Sequence, residues 1–199
     1  GRPWASMVSG APGFLSTPDD KTLSVAATPA DGDPLAEALQ TGAQLGALGM
    51  IPDARRRNRM NGVVSEVRPG GFDIAVSQSY GNCPAYIQAR DVAAANAQKE
   101  PQGVTVSDRF DDAATRLIAS ADTLFIASAY RGDANASAHG ADVSHRGGKP
   151  GFVKVLDDRT FVLPDFSGNN IFNTLGNIAQ NPVAGLLFID FDTGDVLPM

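Results

Sequence analysis

Cysteine occurs once, at Cys83, in a chain of 199 residues. No internal disulfide can form, and no cysteine cluster exists for zinc. Histidine is nearly as scarce, with His139 and His145 the whole supply. A histidine-built metal centre is therefore disfavoured, and only an all-carboxylate site stays open. Positive charge is also short: 16 Lys and Arg against 22 Asp and Glu give a net charge of −6. Such a chain has no global field to attract a nucleic-acid backbone or an anionic membrane. No run approaches the ~18 apolar residues of a membrane span, and the N-terminus lacks the basic and apolar regions of a secretory signal. The chain reads as soluble and cytoplasmic. It starts at Gly1 rather than Met and ends just after the turn-like Asp192-Thr193-Gly194-Asp195, a pattern compatible with a piece of something longer.

What is present suffices for a folded protein. Hydrophobic residues make up 43% and charged residues 19%, enough apolar content to bury a core. The length fits one large domain or two small fused ones. A repeat favours the second reading. Pro12-Gly13-Phe14 followed by Asp19-Asp20-Lys21-Thr22 returns as Pro150-Gly151-Phe152 followed by Asp157-Asp158-Arg159-Thr160, and 152 − 14 = 138 = 160 − 22. Further on, Leu45 to Ile51 answers Ala184 to Asp190 with an offset of 185 − 46 = 139. That spacing far exceeds the ~20 to 50 residues of a solenoid unit. It implies two related halves, divided here as 1–94 and 107–199 with a polar linker over 95–106.

Each half reads as hairpin, helix, strand. Trp4 to Val8, Gly13 to Ser16 and Leu23 to Ala27 alternate like short strands between Gly, Pro and Asp turns. Gly151 to Leu156 and Thr160 to Leu163 are their counterparts. Asp33-Pro34 is a helix start, with Asp as N-cap and Pro at the first position. In the second half Asn169 or Asn170 is placed to cap a helix from Ile171 to Gln180, ended by Asn181-Pro182. Buried-looking strands follow over Gln44 to Ile51 and Val183 to Phe191. Between these blocks, Asn61 to Val67 and Phe72 to Gln78 form a strand pair, Pro84 to Ala94 reads as a helix, Ser107 is a cap for Asp108 to Ser120, and Leu124 to Tyr130 is a strand. The predicted class is mainly β with flanking helices, α+β, built around a barrel.

Several chemical motifs fail on inspection. Arg146-Gly147-Gly148-Lys149-Pro150 has valine at 143 where a phosphate loop needs glycine, and proline where it needs Ser or Thr. No G-x-G-x-x-G follows a strand. Asp142, Ser144 and His145 have the letters of a hydrolase triad, but strand neighbours point to opposite faces, so Ser144 and His145 cannot act as nucleophile and base. The lone Cys83 reads more readily as a small buried hydrophobe than as a reactive thiol, although a helix starting at Pro84 would lower its pKa.

Two basic stretches remain. Arg55-Arg56-Arg57-Asn58-Arg59 is the densest positive charge in an acidic chain. The plain reading is a solvated turn. The functional one is a phosphate clamp, since a strand through Met60 places Arg57 and Arg59 on one face. Ser144-His145-Arg146 precedes the second Pro-Gly-Phe, and Asn169, Asn170 and Asn173 open the following helix. Together they offer a cation, hydrogen-bond donors and a helix N-terminus to an anion; local capping explains the same residues without a ligand.

The stretches Asp142 to Gly148, Pro150 to Val153, Leu163 to Asn169, Asn173 to Ile178 and Ala184 to Phe188 resemble the pyridoxamine 5′-phosphate oxidase-related family, the flavin-nucleotide-binding split barrels. Arg55 to Gly62 and Gln78 to Gln88 resemble one subgroup of it. The resemblance implies an antiparallel Greek-key split barrel that binds FMN at a homodimer interface, here as a homodimer or as an internal pseudo-dimer made by the two halves in tandem. It places Arg146 nearest the family's phosphate-binding arginine, with Ser144 and His145 beside it, and Asn169, Asn170 and Asn173 where other members carry a serine and a lysine. No lysine stands there. In the first half Arg2, Ser6 and the Arg55 to Arg59 cluster, Arg57 and Arg59 included, take comparable places, while Trp4 and Met7 make that copy less polar. The implied activity is a flavin-dependent oxidoreductase acting on a small-molecule substrate or electron donor, with a non-catalytic flavin-binding or structural module as the alternative. FAD, haem and a deazaflavin are the alternative cofactors.

Overall fold

A computed structural model describes residues 2–91, 104–132, 139–168 and 170–199. Most of the expected linker and Asn169 lie outside these residues. In chain order the elements are β1 (Leu15–Ser16), β2 (Thr22–Val25), α1 (Leu35–Ala38), β3 (Gln44–Ile51), β4 (Arg56–Arg68), β5 (Gly71–Gly81), α2 (Asp112–Ser120), β6 (Thr123–Tyr130), β7 (Gly140–Gly147), β8 (Lys154–Val155), β9 (Phe161–Val162), α3 (Asn173–Gln180), β10 (Ala184–Ile189) and β11 (Val196–Pro198). The fold is mainly β with a few helices, its sheets antiparallel and one of them curled into a half-barrel.

One sheet runs β1-β2-β5-β4-β3, the other β11-β10-β6-β7, and β8-β9 form a separate hairpin. In the first sheet β3, β4 and β5 follow as hairpins while β2 lies beside β5, the strand order of a Greek key read from its far end. The β4–β5 hairpin closes at Pro69-Gly70, where Arg68 pairs with Gly71 and Gly70 has φ +80°. Proline followed by a glycine at positive φ is the sequence of a type II turn. The second sheet meets the first where β7 packs on β3 and β4.

The sequence repeat is also a repeat of geometry. Gly13 and Gly151 have φ +90° and +85°, and the amides of Phe14 and Phe152 donate to Ala11 and Lys149 over 3.0 Å each. Asp19 and Asp157 then accept the amides of Lys21 and Arg159, both at 2.8 Å. These amides hold both carboxyls below their ordinary pKa. The hairpin registers coincide as well: Met50 faces Arg57 and Leu48 faces Arg59 in β3–β4, as Ile189 faces Val196 and Leu187 faces Pro198 in β10–β11. Close approaches between the halves repeat too. A Cβ on Gly46 would meet Asp142 Cα at 2.9 Å and Val143 N at 3.0 Å; one on Gly185 would meet Trp4 Cα at 2.8 Å and Ala5 N at 2.9 Å.

Apolar burial follows the same division. Leu23, Val25, Phe72 and Ile74 form one core, and Ile118, Leu124, Ile126, Val153 and Phe188 another. A small cluster of Ala5, Ala127 and Leu187 joins an N-terminal residue to the second sheet.

Four local expectations are corrected. The helix expected from Asp108 starts at Asp112, because Asp111 rather than Ser107 accepts the Ala114 amide, over 2.7 Å; Ser107 bonds to Arg109 instead. Residues 84–91 hold no helix. Asn170 is not the residue at the start of α3: Phe172 is, without a side-chain cap, and Asn170 stands two residues earlier at φ +59°. Trp4 to Val8 forms no ladder, although it lies along β10 through Gly185.

Candidate functional site

Alternation along β4 sends Arg57, Arg59 and Asn61 to one face, and that face meets β7. There Arg59, 6% exposed, donates to Asp142 and to Ser144. Asp142 also accepts from Tyr80 at 3.2 Å and from Asn61 at 3.3 Å. Ser144 and Thr174 share a hydrogen bond of 2.8 Å, and Asn173 donates to the Tyr80 hydroxyl. Arg59 further sits over the Tyr80 ring, 5.4 Å from its centre. Burial, with Asp142 next in order, pushes the Tyr80 phenol above its ordinary pKa. This network ties β4 and β5 of the first half to β7 and α3 of the second.

Arg57 stands two residues before Arg59 in a different position electrostatically. Its Nη1 donates to His145 Nδ1 over 2.8 Å and its Nη2 to the Ala85 carbonyl over 2.9 Å. Neither is an anion, the Cys83 side chain is a further hydrogen-bond partner, and among the described residues no carboxylate comes within ion-pair distance of Arg57. Burial holds this guanidinium below its ordinary pKa. His145 is shifted more strongly: burial, with the charge of Arg57 next, depresses it to about 3, so the ring is neutral at pH 7. Since Nδ1 accepts from Arg57, the ring proton resides on Nε2. That Nε2 is buried and has no hydrogen-bond partner, nor has the Nε of Arg57.

These groups line a cleft of about 440 Å³ between the halves, within the roughly 300 to 1,000 Å³ of small-molecule sites. Arg57, Arg59, His145 and Arg146 supply its polar wall, and Tyr86, Phe152, Phe166 and Phe172 its aromatic one. Tyr86 and Phe166 rings lie 5.1 Å apart, and Phe152 and Phe166 stack at 6.5 Å. The Ala85 bond to Arg57 fixes the loop that carries Tyr86. Gly147 is required beside it, since a Cβ there would come within 2.3 Å of the Tyr86 carbonyl.

The expected site residues are therefore partly gathered. Arg57, Arg59, Ser144, His145, Arg146 and Asn170 all line the cleft, while Asn173 turns to Tyr80. Their charges differ in availability. Arg59 is matched by buried Asp142, and Arg146 by Asp165 at 3.1 Å. Three guanidiniums against two carboxylates leave one positive charge, on Arg57. Cys83, expected to be buried, is exposed and lines the cleft; the helix at Pro84 that would have lowered its pKa is absent. Ser144 and His145 bond to different partners, Thr174 and Arg57, as strand alternation requires. Among the described residues no group of three His, Cys, Asp or Glu is arranged to hold a metal ion, and no helix is long and apolar enough to cross a membrane.

Sequence reading missed Asp142, Asn61, Tyr80 and Thr174 as members of the network. Alternation places Asn61 with Arg57 and Arg59, and Asp142 with Ser144, so half of the network was accessible. Thr174 and Tyr80 enter only through packing between the halves. No family model matches the chain, and no curated protein or solved structure matches it.

Proposed function

We propose that the cleft binds FMN and that the protein is a flavin-dependent oxidoreductase acting on a small molecule. The observation that carries this reading is Arg57: a half-buried guanidinium with no carboxylate partner among the described residues, beside a buried histidine N–H that has no acceptor. A buried donor left unpaired costs about 1 to 3 kcal/mol, and a phosphate oxygen would satisfy it while balancing the arginine. FMN joins a phosphate to a flat fused ring. The aromatic wall of Tyr86, Phe166 and Phe152 suits the ring, as Arg57 and His145 suit the phosphate. Arg146 and Ser144 flank them, and Arg59 holds Ser144 and Asp142 in place.

Haem fits less well. Iron coordination needs an unprotonated ring nitrogen, whereas His145 Nδ1 is occupied by Arg57 and Nε2 carries the proton. When bound, the flavin supplies the hydride or electron transfer; the chain's residues bind and orient it. Among the described residues of the cleft, Asp165 is paired with Arg146 and the acceptor nitrogen of His145 is taken by Arg57; that no free base stands among them favours a second reading, a flavin-binding module without turnover.

Titration with FMN, followed by flavin absorbance and fluorescence, tests the binding. Saturable binding that weakens about 10-fold or more in Arg57→Gln is expected, since hydrogen bonds to charged groups contribute about 1.5 to 3 kcal/mol. Absence of binding at millimolar FMN would remove the proposal. Bleaching of bound flavin by reduced nicotinamide with repeated turnover supports the oxidoreductase; binding without turnover supports the module.

A further inference from the structure

The cleft is built from unlike contributions of the two halves, and the pseudo-symmetry shows what a second, equivalent cleft would contain. The spacing of 138 holds where the close approach to Asp142 and Val143 is matched by that to Trp4 and Ala5. It also holds between the first residues of α1 and α3, Leu35 and Asn173. Continuity along the chain then sets His145 against Met7, Arg146 against Val8 and Thr174 against Ala36. The coincident hairpin registers set Arg57 against Val196 and Arg59 against Pro198. Trp4 stands where Asp142 does.

Every group that gives the cleft its charge is thus apolar in the counterpart. The one polar residue retained is Ser6, in the place of Ser144, and its hydroxyl donates to Asp33 over 2.6 Å. A carboxylate there repels an anion rather than binding it. We infer that anionic-ligand binding is confined to the cleft lined by Arg57 and is not repeated at its pseudo-equivalent position, so that each chain takes up one phosphorylated ligand and not two. This rests on the FMN reading for the identity of the ligand only.

Calorimetric titration of the purified chain with FMN, and separately with inorganic pyrophosphate, tests it. One equivalent of FMN per chain is expected, with Arg57→Gln weakening that single class at least 10-fold and leaving no unaffected class behind. Arg57→Lys, which keeps the charge, guards against a mere folding defect and should bind between the two. Met7→Gln in the counterpart should change neither stoichiometry nor affinity beyond about 2-fold. Two equivalents of FMN, or a class of one equivalent that survives Arg57→Gln, overturns the inference while the flavin reading stands. One equivalent of pyrophosphate with no FMN binding overturns the flavin reading and leaves the asymmetry standing. If neither binds, both are lost.

Discussion

Two neighbouring arginines on one strand show how burial and pairing divide labour. Arg59 is locked to Asp142 and belongs to the framework; Arg57 rests on a neutral imidazole, a carbonyl and the Cys83 side chain, and no carboxylate among the described residues balances its charge. Removing one member of a buried pair leaves the other uncompensated, at a cost of about 3 to 5 kcal/mol. Asp142→Ala is therefore expected to lower stability by that order in urea unfolding. Asp158→Ala, which breaks the exposed pair with Arg109, should cost under about 1 kcal/mol. Equal losses in the two variants would show that the network does not hold the halves together. His145 adds a pH signature. Above pH 6.5 the ring is neutral in folded and unfolded chains alike, and it contributes no slope. As pH falls from 6.5 towards 3 only the unfolded chain takes up the proton, so stability drops by up to about 1.4 kcal/mol per pH unit. Below about 3 the folded ring is protonated too and the slope ends. His145→Asn, which keeps an acceptor for Arg57, should flatten urea midpoints measured between pH 6.5 and 5; an unchanged slope would assign the effect to other groups.

At the scale of elements, the paired glycines of β3 and β10 are points where the backbones of the two halves come close. The atoms a new Cβ would strike are backbone at both sites, apart from the Asn61 side-chain oxygen at Gly46, and backbone cannot swing aside. Gly46→Ala and Gly185→Ala are each expected to cost about 1 to 3 kcal/mol, read as a fall of several degrees in Tm. Gly49→Ala on the same strand meets nothing within 4 Å and should leave Tm unchanged or raised. A similar fall in all three would point to strand propensity rather than packing. The strands themselves were legible in the sequence: Gln44 to Ile51 is β3 to the residue, and Leu124 to Tyr130 misses only Thr123 of β6. Alternation and turn residues are local, and so is the repeated Pro-Gly-Phe turn. Helix limits were less legible, since Asp111 and Ser107 are both good caps by residue type, and it is Asp111 that bonds into the helix while Ser107 turns to Arg109. Pro84 was misread because the carbonyl of Ala85 is taken by Arg57, 28 positions before Ala85. In the same way the alternation revealed that Arg57 and Arg59 share a face, but not which of them keeps a free charge. Asp142 lies 83 positions from Arg59, and only the docked halves reveal the pairing.

The molecule as a whole carries a net charge of −6 around a cleft whose own balance is positive. An anionic ligand is attracted at short range by Arg57 and repelled at long range by the remainder. Salt screens the exposed, distant charges more than the buried one. Raising ionic strength from 0.05 to about 0.5 M should therefore weaken FMN binding only modestly, by less than about 10-fold. A steep loss would mean that the phosphate is held at the exposed rim by Arg146 rather than at Arg57. The bond between Arg57 and His145 has a last consequence, for time rather than for affinity. It joins residues 88 positions apart, so the pocket exists only once both halves have folded and met, and no part of the chain can recognise the ligand earlier. A ligand that engages so late in folding leaves the folding rate alone and acts by slowing the reverse journey. Bound FMN would then reveal itself in a protein that takes longer to come apart.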